Sequence, residues 1–289
     1  RFTTFCAFGL TSAAFAILLL SSWNDVLCAA LLGFVVYALT YAAGKSPRIA
    51  NMLEPLAALT TGFLATLLTT LDVGISVSFV TLSAIILFIP GLSLTLGLAE
   101  IAERDLISGT ARVMDSCMSL FKLYFGAQLG MVLGYLLVPH VQPIAPLALS
   151  PHFVWLGIPM LSLGLVVAFN TRPKDIAWGL GAGLLAYFFT IIGNNTLGAD
   201  LAPFVGALAV GIFANLYSSL LKRPASIVLL QGIVVLVPGS KTYINLSSQV
   251  SGDSIIMNPT LAGQTFLIFM AIVAGITFAN LIVPPKRSL

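Results

Sequence analysis

Charge is what this sequence has least of. Only 8% of its 289 residues are Asp, Glu, Lys or Arg, while 58% are hydrophobic, and the mean hydropathy is +1.05. A soluble domain carries about a quarter charged residues because its surface faces water. So few charges exclude an ordinary water-soluble globule of this size and point to lipid as the solvent of the apolar surplus. Histidine is scarce, with two in the chain. The three cysteines, Cys6, Cys28 and Cys117, are odd in number and lie in apolar runs without metal-type spacing, so they read as small core hydrophobes.

Other absences narrow the function. The net charge is only +3, and no basic stripe with interleaved aromatics occurs, which leaves nucleic-acid binding unsupported. There is no metal-spaced His/Glu motif, no glycine-rich phosphate loop and no plausibly placed Ser/His/Asp set. An enzyme is therefore not expected, and neither is a cofactor, a metal or direct use of ATP. An intramembrane enzyme acting on lipid or polyprenyl groups is the rival from another class. It would need paired acids, a histidine or a metal at membrane depth, which the sequence does not supply.

What is present is a series of long apolar runs. A span needs about 20 residues to cross about 30 Å of hydrocarbon. Runs between polar punctuation predict helices near 2–22, 25–43, 53–71, 76–103, 110–138, 152–169, 174–193, 201–221, 224–250 and 260–283, ten in all. The chain opens at Arg1 rather than Met, so residues are expected upstream, and the first run reads as a retained helix rather than a signal peptide. The fourth and ninth segments are interrupted by Pro90-Gly91 and Pro238-Gly239.

Those pairs expose an internal repeat. A shift of 148 aligns them with each other, and also Pro55 with Pro203, Ser78 with Ser226 and Leu82 with Leu230. A shift of 150 aligns Asp25, Gly33 and Tyr37 with Asp175, Gly183 and Tyr187, and a shift of 143 pairs Ser108-Gly109 with Ser251-Gly252. Two five-helix halves follow, 1–140 and 150–289. With the N-terminus inside, 11 of the 13 Lys and Arg fall at inner loops and ends, leaving only Lys122 and Lys241 within helices. Treating segments four and nine as re-entrant hairpins would move Arg172, Lys174, Lys222 and Arg223 outside, against that bias. Five is odd, so the second half is inverted relative to the first. Inverted halves with matched broken helices are a mark of secondary transporters. The expected fold is thus an all-α membrane protein of about ten transmembrane helices in two inverted repeats, with both termini cytoplasmic.

A Pro-Gly pair inside a span frees backbone polar groups, which lipid tolerates only when they are buried in protein or line a wet cavity. Pro90, Gly91, Ser93 and Thr95 are therefore substrate-binding candidates, and so are Pro238, Gly239, Ser240, Lys241 and Thr242. The competing reading is two kinks with a packing role. Lys241 and Lys122 are candidate anion binders, because an intramembrane charge is expensive and usually functional. Against this, Lys241 could snorkel to the interface, and Lys122 could pair with Asp115 or another acid purely to hold helices together. Asp115, Ser119, Lys122 and Gly126 share one helix face, and the stripe continues as Gly130 and Gly134, a small-xxx-small pattern. Asn215 and Gln231, with Gln128 and Gln264, read as buried amides that form interhelical hydrogen bonds, with one or two touching substrate; Asn215 and Gln231 are the candidates for that contact. Asp115, Glu54 and Glu100 are the candidates for ion coupling or gating, Glu100 lying where span four meets the cytoplasm.

The stretch Ile89-Pro90-Gly91 through Glu100-Ile101-Ala102-Glu103-Arg104-Asp105-Leu106-Ile107-Ser108-Gly109-Thr110-Ala111-Arg112 resembles the threonine/serine exporter family. That family has a hydrophobic-Pro-Gly, an amphipathic helix and an acidic-Leu-x-Ser-Gly-x-x-Arg sequence. Gln231-Gly232 and Val237-Pro238-Gly239-Ser240 resemble its smaller partner domain. The two parts occur fused, or as separate chains exporting small dicarboxylates such as succinate. The resemblance implies a plasma-membrane exporter, in bacteria the inner membrane, driven by an ion gradient such as protons. Members carry a soluble segment ahead of the first span, which this sequence does not include. Expected partners are a small amino acid or carboxylate substrate and the lipid bilayer, with assembly as a homo-oligomer compatible. Export of a dicarboxylate, and a passive channel or assembly subunit, are the alternatives.

Overall fold

The computed structural model describes residues 2–71, 74–138, 149–236 and 259–284, with side chains from 263 in the last stretch. Among the described residues there is no strand. The helices are α1 Phe2–Leu18, α2 Trp23–Ala43, α3 Pro47–Asn51, α4 Leu53–Leu68, α5 Val77–Ala84, α6 Gly91–Ala102, α7 Leu106–Leu137, α8 Val154–Ala168, α9 Ile176–Leu197, α10 Ala202–Leu221, α11 Ser226–Leu236 and α12 Pro259–Ile282.

Among the described residues, seven helices are long and apolar enough to cross a membrane, or eight when the interrupted pair Val77–Ala84 and Ile86–Ala102 is counted as one span. This falls short of the ten expected, for reasons of length. At about 1.5 Å per residue, the 17 residues of α1 reach roughly 25 Å, less than the hydrocarbon thickness. The 11 residues of α11 reach less still, and the rest of the predicted ninth span lies outside the described residues.

The breaks have local causes. After a 3₁₀ turn at Ile86–Phe88, Ile89 takes an extended ψ of 118°, as the residue before a proline favours, and Pro90 then caps α6. Pro238-Gly239, its expected counterpart, lies outside the described residues. Between α1 and α2 the chain turns through Leu20, at φ 54°. Ser22 and Asp25 then form a capping box, each satisfying a backbone N–H of the other.

The helices gather into two compact units, residues 1–89 with 118–168, and 90–117 with 169–289. They cross the sequence halves, since α8 packs on α1 in the first unit while α6 and the start of α7 belong to the second. Contact units and sequence repeats are different divisions of the chain, and one does not test the other.

In the first unit α1 packs on α2, and α2 on α4 and α5. Helix α7 meets α4 along its glycine stripe: Gly126 lies against the Pro55 carbonyl, Gly130 against that of Leu59, and Gly134 against Thr66. A Cβ added at Gly62 would stand 2.6 Å from the Ala127 carbonyl oxygen, so these backbones touch only because the side chains are missing. In the second unit α10 packs on α9, α11 and α12, and α6 packs on α11 and α12.

The α4–α7 contact recurs as the α10–α12 contact. Gly126 meets Pro55 and Ala58, and Gly62 meets Ala127; Gly275 meets Phe204 and Ala207, and Gly211 meets Ile276. Adding 149 to 55, 58, 62, 126 and 127 gives 204, 207, 211, 275 and 276. In both pairs the residue numbers rise together, so the two helices run parallel.

Candidate functional site

The expected site residues that the structure describes are divided between the two units. In the first unit, Lys122 Nζ lies 3.6 Å from Glu54 Oε2, and Ser119 donates to Glu54 Oε1 at 3.1 Å. The partner of Lys122 is thus Glu54, while Asp115 is exposed. Glu54 stands in the first turn of α4, so the pair sits at one end of the α4–α7 contact rather than at its middle. The side chains of Lys122 and Glu54 remain 43% and 33% exposed.

At the break, Gly91 and Thr95 are buried and Ser93 is half-buried. The Thr95 hydroxyl donates to the Gly91 carbonyl at 3.0 Å, a bond that uses one of the groups near the interruption within its own helix. Beyond it, α6 and the start of α7 fold back on each other through Gly97 and Gly109. A Cβ at Gly109 would lie 2.7 Å from the Gly97 carbonyl oxygen. Arg104, at φ 70°, turns the chain between them. Glu100 receives Arg112 at 2.9 Å and the Ser108 hydroxyl at 2.9 Å. Ser108, Gly109 and Arg112 thereby form one clamp holding a helical hairpin, with Glu100 as its acceptor, while Asp105 Oδ1 accepts from the Ser108 N–H at 3.4 Å.

Asn215 is buried but committed, donating to Asn280 Oδ1 at 2.9 Å and to the Val283 carbonyl at 2.7 Å. Gln128 is half-buried and Gln264 exposed, so neither is a core amide. Gln231 is buried, and its amide N–H donates to Thr171 Oγ1 at 2.6 Å. Its Oε1 lies against Gly179 of α9, in space a Cβ there would fill, and has no partner among the described residues. Pro238, Gly239, Ser240, Lys241 and Thr242 lie outside the described residues.

A cluster near Gln231 escaped the sequence reading. Asp175, the cap residue of α9, is 1% exposed and forms an ion pair with Arg223; Tyr217 donates to the same oxygen at 2.9 Å. Asp175 Oδ2 is buried without a partner among the described residues. Hydrogen bonding to Tyr217 is the largest influence holding the Arg223 guanidinium above its ordinary range, with the Asp175 charge adding to it and burial opposing. The signal available was the alignment of Asp175 with Asp25, which marked both as repeat positions and said nothing of their partners.

Comparison with known proteins gives these features a family. Residues 1–134 match the threonine/serine exporter model ThrE, and residues 154–282 match the threonine/serine exporter model ThrE_2. The chain belongs to the threonine/serine exporter family. Its members' two parts are here joined in one chain that crosses the membrane several times. A pheromone-regulated membrane protein 10 of Eremothecium gossypii is 29% identical over 269 residues, 89% of this chain and 35% of that protein. The Yarrowia lipolytica protein of the same name is 28% identical, over 75% of this chain and 19% of its own length. That of Saccharomyces cerevisiae is 25% identical, over 90% and 70%. The chain thus spans about a third or less of the first two relatives. No solved structure matches it.

Proposed function

We propose that this chain is a secondary active exporter of small polar metabolites, with threonine and serine its favoured substrates and a proton gradient as the driving force. The observation that carries the reading is the recurrence of the α4–α7 contact in α10–α12 at a constant shift, with an exporter family model on each half. A parallel helix pair that recurs at a constant shift in the two halves suits the inverted-repeat architecture of alternating access. The broken helix at Pro90-Gly91 supplies backbone polar groups for a solute, and Pro238-Gly239 with Ser240, Lys241 and Thr242 would do the same in the other repeat. We place the chain in the plasma membrane with both termini cytoplasmic.

Export of a dicarboxylate draws its support from two intramembrane lysines. One of them, Lys122, already has Glu54 as counter-ion, which weakens that reading. Efflux from loaded vesicles separates the two: threonine should leave faster than succinate, and Lys122→Ala with Lys241→Ala should slow it. Wild-type rates in both variants would overturn the assignment of those lysines to the site.

A further inference from the structure

We propose that Asp175, Arg223, Tyr217 and Gln231 form a recognition site for a zwitterionic amino acid. Arg223 takes the ligand's carboxylate, and Asp175 with the Gln231 carbonyl oxygen takes its ammonium. The proposal rests on the export reading above and names the chemistry by which one substrate class is chosen.

The groups come from three directions. Asp175 begins α9, Tyr217 stands near the end of α10, Arg223 lies in the turn before α11, and Gln231 reaches from α11 to α9. Asp175 caps α9, and Gly179 lies four residues on, in the first turns of that helix. Gln231 Oε1 lies against Gly179, so two acceptor oxygens are set along the start of α9. Both Asp175 Oδ2 and Gln231 Oε1 are buried without donors among the described residues. A buried acceptor without a donor is expensive, and an ammonium with three N–H groups is the donor that would satisfy two at once.

Asp25, which aligns with Asp175 in the other half, shows what anchoring alone requires. It is fully buried, yet both oxygens are satisfied by neutral donors, Oδ2 by the Ser22 N–H and hydroxyl and Oδ1 by the Ser76 N–H at 2.7 Å. Asp175 makes no cap hydrogen bond, takes a charged partner and keeps an oxygen free. A helix anchor needs none of those three departures. The Arg223 side chain is 29% exposed, which opens the pair from its cationic end. One acid and one base balance a ligand of zero net charge, whereas the second carboxylate of a dicarboxylate would face Asp175 and be repelled.

The test is binding of radiolabelled threonine to the purified chain, competed by threonine, threonine methyl ester, N-acetylthreonine and succinate. Threonine alone should compete well with the wild type. Asp175→Asn and Arg223→Gln should each weaken threonine binding about tenfold or more, as losing a charge-assisted hydrogen bond implies. Asp175→Asn should bring threonine down to the level of N-acetylthreonine, and Arg223→Gln to that of the methyl ester. A purely structural pair would lower melting temperature without removing either preference. Should those variants fail to fold, Gln231→Met keeps the ion pair and should still weaken threonine binding severalfold at an unchanged melting temperature. Succinate competing as well as threonine, or wild-type affinity in the variants that fold, overturns the proposal. Succinate efflux without threonine efflux would overturn it and leave export standing. An absence of all efflux would overturn export, while the binding series would still decide the site.

Discussion

Asp25 and Asp175 align in the sequence and have different partners, and single substitutions should separate their roles. Asp25→Ala removes the acidic half of the α2 capping box and strands the Ser22 and Ser76 N–H groups, so we expect a loss of about 2–4 kcal/mol with no change in solute preference. Thermal unfolding in detergent measures the first and competition binding the second; a selectivity change would contradict the anchoring role. The glycines give a matched prediction. Gly126→Val and Gly275→Val both push a side chain into a neighbouring carbonyl, at Pro55 and Phe204, and each should lower stability by about 1–3 kcal/mol or more. If only one of the pair were sensitive, the two helix contacts would not be equivalent. The glycine stripe Gly126, Gly130 and Gly134 was legible in the sequence because small residues at every fourth position can serve only close approach. Lys122 was legible as a charge inside an apolar run, yet its partner was not: Glu54 is 68 residues away, and nothing local distinguishes it from Asp115.

At the scale of elements, most helices could be read directly, because apolar runs of span length leave the backbone little alternative in lipid. Their ends were harder to place. Helix α1 stops at Leu18, short of the predicted 22, because the Ser22–Asp25 capping box claims the next residues for α2. Helix α7 runs from Leu106, ahead of the predicted 110, because its first turns pack on α6 as one arm of a helical hairpin. The parallel course of α4 and α7 makes a topological prediction. Cysteines placed at Thr70 and Val138 should both react with an impermeant maleimide applied to the same side of sealed vesicles. Labelling from opposite sides would mean that the segment holding Pro90 turns back without crossing. Pro90→Ala with Gly91→Ala restores an N–H and removes a helix-breaking pair, which favours one continuous helix. Expression should persist while threonine efflux falls at least severalfold; unchanged efflux would return the break to a packing role.

The molecule as a whole is all-helical over its described residues, multi-pass in composition, and a member of an exporter family in both halves. The sequence suggests a repeat through a handful of aligned residues, and the α4–α7 and α10–α12 contacts recur at a constant shift of 149. Which solute moves, and what drives it, are whole-molecule properties that no single contact reports. They are best measured together, in proteoliposomes containing only this chain, loaded with threonine and followed with and without an imposed proton gradient. Secondary export predicts threonine efflux that the gradient accelerates, that collapsing the gradient slows, and that succinate does not match. Efflux indifferent to the gradient would make the chain a passive pore, and no efflux of either solute would contradict export itself.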